Sequence, residues 1–258
     1  MQITRILIGI AALIRGLEAG RVLARVLDPE VLQFPIIAWL PRLSPSALPA
    51  LIVAWLLLAA SFTVGFRVRA TGSALALIMG YTLLLDQQSY SNHLYLLVLI
   101  VGVVALAPDP ARLLRYQLSL VYGFSALWKC NAYYLSGIVI GAHLVPSLAR
   151  WAKFEYLAIL AATSLLVEVF LAIAFWLPRY RPAAWIVGLL LHVGCTLMLA
   201  PGYQVQIAVF TLEMIALYTA FGPPPFFRRV SAVHAPPAGS SEGPVSPVSA
   251  KALASRTL

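Results

Sequence analysis

The chain has 258 residues, of which 61% are hydrophobic and only 10% are charged, and its mean hydropathy is +0.89. Soluble domains carry about 25% charged residues, so the composition excludes an ordinary soluble domain and predicts a polytopic membrane protein in a lipid bilayer. The net charge of +9 does not indicate nucleic-acid binding, because the basic residues lie mostly in short loops between apolar runs.

Apolar segments predict an all-α bundle of about eight transmembrane helices. We place them at about residues 3–27, 47–65, 72–85, 94–106, 113–130, 156–177, 183–199 and 205–221. Most are near the ~20 residues that a bilayer core requires, and some are shorter. Residues 28–46 and 131–153 are longer connections. Residues 1–222 therefore form one predicted transmembrane domain, and residues 223–258, rich in Pro, Ala, Ser and Gly, are predicted to be a disordered cytoplasmic tail.

The first predicted helix carries a charged stripe. Arg15, Glu18, Arg21 and Arg25 recur at three- and four-residue spacings, so they share one helix face. Charged side chains at depth in lipid are costly, and we expect this face to turn toward the bundle or to lie in the interface.

Basic residues in alternate short loops predict the orientation of the chain. The pairs are Arg67 and Arg69, Arg112 and Arg115, Arg179 and Arg181, and Arg228 and Arg229. The positive-inside rule then places both termini in the cytoplasm, with eight crossings. We expect the chain to lie in the inner (plasma) membrane. Arg42, Arg150 and Lys153 lie in the opposite connections and count against this orientation.

A dense polar segment at residues 86–95 lies between two uncharged apolar runs. Polar groups at the membrane are costly unless they pair or line a wet cavity, so they favour a functional site. A polar hairpin between two helices is the alternative. We predict an outward-facing cavity lined by Asp86, His93, Lys129, His192 and the charged stripe of the first helix. Alternatively, Lys129 extends its amine to the interface and His192 makes an interhelical hydrogen bond.

No motif of the common soluble enzymes is present, and no metal site is predicted. Cys130 and Cys195 make neither a disulfide framework nor a metal site. The sequence leaves open whether they pair with each other or remain free thiols.

Residues 83–96 read Leu-Leu-Leu-Asp-Gln-Gln-Ser-Tyr-Ser-Asn-His-Leu-Tyr-Leu. They resemble the signature of the vitamin K-dependent gamma-carboxylase family, whose membrane part is called the horizontally transferred transmembrane (HTTM) domain. Residues 121–137 and 191–193 resemble later motifs of the family in the same order, so the resemblance covers about residues 3–222. The small size is typical of a bacterial stand-alone member.

The resemblance implies a quinone-using site. In the family, reduced vitamin K, oxygen and carbon dioxide serve to carboxylate glutamate side chains, with a signature lysine as the base. The matching position here is Gln87, and an amide is not a general base. The implied catalytic residues are His93 as proton handler, Asp86 to orient it, Asn92 to hold an oxyanion, and Lys129. The cofactor-binding residues for a reduced, vitamin K-like quinone are predicted to be Gln87, Tyr90, Tyr95, His192, Arg15 and Glu18.

Three functions remain open from the sequence. The first is a redox or modification reaction with a membrane quinone, on a carboxylase-like scaffold of the lyase class. The second is a non-catalytic binder of a lipid, quinone or secreted peptide, similar to the sporulation-delaying protein B group, which works in peptide maturation or export. The third is a carboxylase that uses another base.

Overall fold

The computed structural model describes residues 1–222 except Pro29 and Gln33, so the predicted tail at 223–258 lies outside the described residues. Its helices are α1 Gln2–Val26, α2 Leu48–Val64, α3 Val68–Leu85, α4 Asn92–Leu106, α5 Pro110–Lys129, α6 Ala132–Leu135, α7 Ile138–His143, α8 Pro146–Ala149, α9 Phe154–Ala174, α10 Arg181–Met198 and α11 Pro201–Thr219. The described part contains no β-strand, which confirms the all-α prediction.

The eight long helices coincide with the predicted segments to within a few residues, and their starts differ for identifiable reasons. α4 begins at Asn92 because Ser91 is extended and ends the preceding turn, so Asn92 and His93 lie in its first turn. α5 begins earlier than predicted, at Pro110, where Asp109 accepts a hydrogen bond from the Arg112 backbone N–H at 3.1 Å. The predicted connection 131–153 folds into the three short helices α6, α7 and α8.

The chain is a multi-pass membrane protein. In the described residues, the segments long and apolar enough to cross a bilayer are Pro45–Val64, Val68–Leu85, Phe154–Ala174 and Arg181–Met198. Large apolar side chains on these helices, such as Leu57, Leu77, Leu166 and Leu190, are more than half exposed, as a lipid-facing surface requires. The count of eight crossings stays a prediction.

Helix packing places α11 at a junction. α1 packs against α2, α3 against α4, and α5 against α9, whereas α11 contacts α1, α4, α5 and α10. Small residues permit close approach: Gly16 on α1 lies against Trp55, whose indole N–H donates to the Ala12 carbonyl at 2.9 Å. Tyr218 on α11 is fully buried against Gly188 on α10.

Several of the loop arginines meet at one end of the bundle. Thr4 and Thr219 share a hydroxyl hydrogen bond of 2.6 Å there, which joins the start of α1 to the end of α11. Arg115 donates to the Ala220 carbonyl at 2.8 Å, and Arg181 donates to the Phe175 carbonyl at 2.9 Å. The arginine side chains therefore bind carbonyls at helix C-termini, where the helix dipole also favours a positive charge.

Gly188→Ala should destabilise the bundle, because a Cβ at this position would collide with the hydroxyl of the buried Tyr218. We expect a loss of about 1–3 kcal/mol, typical of overpacking. The measurement is thermal unfolding in mild detergent. Gly194→Ala, on the same helix, is the control: its Cβ would meet no atom within 4 Å, and it should leave the protein as stable or slightly more stable. Equal melting temperatures for the two variants would contradict the packing account.

Candidate functional site

A polar cavity of about 270 Å³ lies where α1, the turn before α4, and α11 meet. Its walls are mostly polar side chains, supplied by three separate parts of the chain. They are Arg15, Val22, Gln88, Ser89, Tyr90, Ser91, Asn92, His93 and Gln206. Tyr90 is half exposed, so the cavity lies near the end of the bundle and not at its centre.

Arg15 is the buried cation of this cavity. It is only 5% exposed, and its guanidinium pairs with the carboxylate of Glu18 one turn along α1. Its Nε has no hydrogen-bond partner among the described residues. The charged stripe predicted from the sequence therefore turns inward at Arg15, with the more exposed Glu18 beside it.

His93 projects into the cavity from the first turn of α4. Its ring packs on Phe210 of α11 with the centroids 4.5 Å apart, and Phe210 also contacts the ring of His192, at 5.2 Å. Arg15, which pairs with Glu18, lines the same cavity as His93. His93 is thus held by an aromatic contact and stands beside a paired cation and anion.

Asp86 does not line this cavity. Its carboxylate accepts the backbone N–H of Phe34 at 2.5 Å and that of Gln88 at 2.8 Å. The two oxygens therefore cap the turn after α3 and tie it to the loop after α1. Among the described residues no hydrogen bond joins Asp86 to His93, so the predicted orienting role has no contact to support it. Asp86 and Arg42 both line a smaller cavity of about 90 Å³.

Four of the six residues expected to bind a cofactor are not among the residues that line the cavity: Gln87, Tyr95, His192 and Glu18. Gln87, at the position of the family lysine, has an exposed side chain, and its backbone N–H donates to the Phe34 carbonyl at 2.8 Å. Tyr95 is 47% exposed and is not among the lining residues. The predicted site residues that the structure brings together in the cavity are Arg15, Tyr90, Asn92 and His93.

Lys129 lies in a separate ion pair. Its amine donates to Glu168 of α9 at 2.6 Å, and both side chains are largely buried. The amine also lies 5.2 Å from the centroid of the Tyr134 ring. Lys129 therefore joins α5 to α9 and, with Glu168, satisfies the rule that buried charges are paired.

His192 belongs to a buried hydroxyl network. Its Nε2 hydrogen-bonds to the Tyr122 hydroxyl at 2.8 Å, and Tyr122 also hydrogen-bonds to the Tyr218 hydroxyl. All three side chains are at most 4% exposed. This geometry matches the alternative expectation for His192, an interhelical hydrogen bond that here links α10, α5 and α11.

Gln206, Tyr122 and Tyr218 were missed by sequence reasoning. Gln206, Phe210 and Glu213 recur at spacings of four and three residues, so they form one stripe of α11, and that pattern is a signal for Gln206. Tyr122 lies within residues 121–137, which resemble a family motif, whereas nothing in the sequence marks Tyr218 apart from other tyrosines. Cys130 and Cys195 are free in the structure, and no cluster of His, Cys, Asp or Glu in the described residues could hold a metal ion.

These features define a multi-pass helical membrane protein with a polar cavity among α1, α4 and α11. Residues 1–112 match the family model of the HTTM domain, which confirms the resemblance over α1 to α4 and the polar segment. The similarity to the HTTM domain thus covers 112 of the 258 residues. The resemblance of residues 113–222 stays a prediction. No curated protein and no solved structure matches the chain.

Lys129→Met should destabilise the protein by about 3–5 kcal/mol, because it leaves the Glu168 carboxylate buried without its cation. Thermal unfolding in detergent measures the loss. The double variant Lys129→Met, Glu168→Leu removes both charges and should recover most of the stability. A single variant as stable as the parent protein would show that the pair is solvated and not structural.

Proposed function

We propose that this protein binds the polar head of a membrane-soluble, quinone-like or lipid ligand in the cavity among α1, α4 and α11. The observation that carries the proposal is the convergence of Arg15, His93 and Gln206 from three helices on one cavity. Charged and polar side chains on membrane helices that face a cavity in place of lipid are typical of binding sites.

The side chains suit an oxygen-rich head group. The guanidinium of Arg15 and the amides of Asn92 and Gln206 donate hydrogen bonds to carbonyl or phenolate oxygens. His93 has one ring nitrogen that accepts and one that donates when neutral, so it is the group suited to exchange a proton with a bound hydroquinone. The cavity is smaller than the ~300 Å³ at which drug-sized pockets begin, which favours a head group with its tail in lipid.

The same proposal places the cavity on the outer face of the inner membrane. Arg5 lies against Gly65 at the end of the bundle where Arg115 and Arg181 bind carbonyls. A cytoplasmic position for this end follows from the positive-inside rule, with both termini in the cytoplasm. The cavity lies at the other ends of α1 and α11, which supports an outward opening.

Ligand binding can be tested by mass spectrometry on the protein purified in mild detergent. We expect a co-purified quinone or lipid in the parent protein and at least a tenfold loss in His93→Ala, because the side chain lines the cavity. His143→Ala is the matched control: its ring hydrogen-bonds to Val139 within its own helix, at 2.7 Å, and lies outside the cavity.

A ligand retained at full occupancy in His93→Ala would refute binding in this cavity. A co-purified peptide in place of the quinone or lipid would instead favour a role in maturation or export of a secreted peptide. The elution volume in gel filtration checks that both variants remain folded.

Gln87→Lys should not produce a carboxylase. The side chain at this position is exposed and outside the cavity, so an introduced amine stays solvated and protonated at neutral pH. The measurement is incorporation of labelled carbon dioxide into a glutamate-containing peptide with reduced vitamin K present. Incorporation by the variant above the level of the parent protein would show that residue 87 reaches the reacting groups.

A further inference from the structure

Glu213 is the most deeply buried acidic residue of the described chain. It lies in the middle of α11, is 0% exposed, and neither carboxylate oxygen has a hydrogen-bond partner among the described residues. An isolated carboxylate in such surroundings is expensive, so it must be neutralised by a proton or paired with a cation.

One cation is within electrostatic range of Glu213, and it is Arg15 of the cavity. The ionisable side chains on the helices packed against α11 include Arg5, Arg15 and Glu18 on α1, His93 on α4, Tyr122 and Lys129 on α5, and His192 and Cys195 on α10. The guanidinium of Arg5 lies against Gly65 at the end of α2. Lys129 is paired with Glu168, and His192 and Tyr122 hydrogen-bond to each other. Arg15 is thus the cation available to form an ion pair with Glu213.

The helix geometry brings Arg15 toward Glu213. The Thr4 to Thr219 contact sets α1 and α11 antiparallel, with Arg15 eleven residues from Thr4 and Glu213 six residues from Thr219. At a rise of about 1.5 Å per residue, the Cα atoms of Arg15 and Glu213 therefore lie about 7–8 Å apart along the bundle axis. Helical side chains lean toward their own N-terminus, so Arg15 and Glu213 lean toward each other.

Arg15 has two acidic neighbours and only one of them is paired. Its guanidinium binds Glu18 on α1, while its own Nε lacks a partner in the described residues. Glu18 is the more solvated of the two carboxylates, so losing its partner costs Glu18 less than it would cost Glu213.

We propose that Glu213 is a proton-binding site inside the bundle and that Arg15 is shared between Glu213 and Glu18. While Glu213 holds a proton, Arg15 pairs with Glu18 at the cavity wall. When that proton passes to water at the cavity, the Glu213 carboxylate attracts Arg15 away from Glu18. Proton binding in the core thereby controls whether the positive charge of Arg15 is directed to Glu18 or to Glu213.

Infrared spectroscopy of the full-length protein in detergent tests this proposal without any ligand, so its failure is distinguishable from failure of the proposed function. The protonated carboxyl of Glu213 should give a carbonyl stretch that shifts in heavy water and disappears in Glu213→Gln. In Glu213→Asp the carbonyl band should shift in frequency and remain visible. This variant keeps a carboxyl group, so it shows that the band is lost in Glu213→Gln because the carboxyl is absent and not because the protein is misfolded. Glu155→Gln is the control, because Glu155 is exposed on α9 and its loss should leave the band unchanged.

The sharing of Arg15 is tested by removing the competing partner. Glu18→Gln should release Arg15 to Glu213 and lower the pH at which the carbonyl band disappears by about 1–3 units. Arg15→Gln should raise that pH. A band that persists in Glu213→Gln would overturn the proton site. An unchanged midpoint in Glu18→Gln would overturn the shared arginine.

Discussion

Polar and charged groups inside a lipid-embedded bundle must find partners within the protein, and this constraint determines the neighbours of each helix. Apolar surfaces of membrane helices discriminate little between protein and lipid, whereas an unpaired charge is costly at any position. Lys129 and Glu168 join α5 to α9, and the hydroxyl of Tyr122 joins α5 to both α10 and α11. The C-terminal helices are therefore held by a few specific polar contacts within otherwise apolar interfaces.

The helix α11 connects those contacts to the cavity. Near its start Gln206 lines the cavity, one turn later Phe210 packs on His93 and His192, and near its end Tyr218 enters the hydroxyl network. The HTTM domain match ends at residue 112, well before this helix. The cavity is consequently built from a matched part, α1 and the start of α4, and from a wall that the match does not cover.

The apolar runs predicted the helices well, because segment length and hydropathy follow directly from the thickness of a bilayer. The polar segment likewise contained most of the cavity residues. Side-chain partners were less predictable, since periodicity identifies the face of a helix but not the helix that it meets. Asp86 shows the difficulty: a carboxylate that caps a turn and one that orients a catalytic histidine look the same in a sequence. Its partner Phe34 lies 52 residues away in a segment without periodic structure.

The position of α11 after the helices that it contacts has a consequence for biosynthesis. Helices enter the membrane in the order in which the ribosome supplies them, and α1, α4, α5 and α10 all precede the helix that they share. Until α11 is inserted, Tyr122 and His192 lack the third member of their network, and the cavity lacks the wall that contains Gln206. Assembly of the site thus waits for the insertion of α11, and a nascent chain stopped before residue 201 exposes its polar groups to lipid or to the insertion machinery.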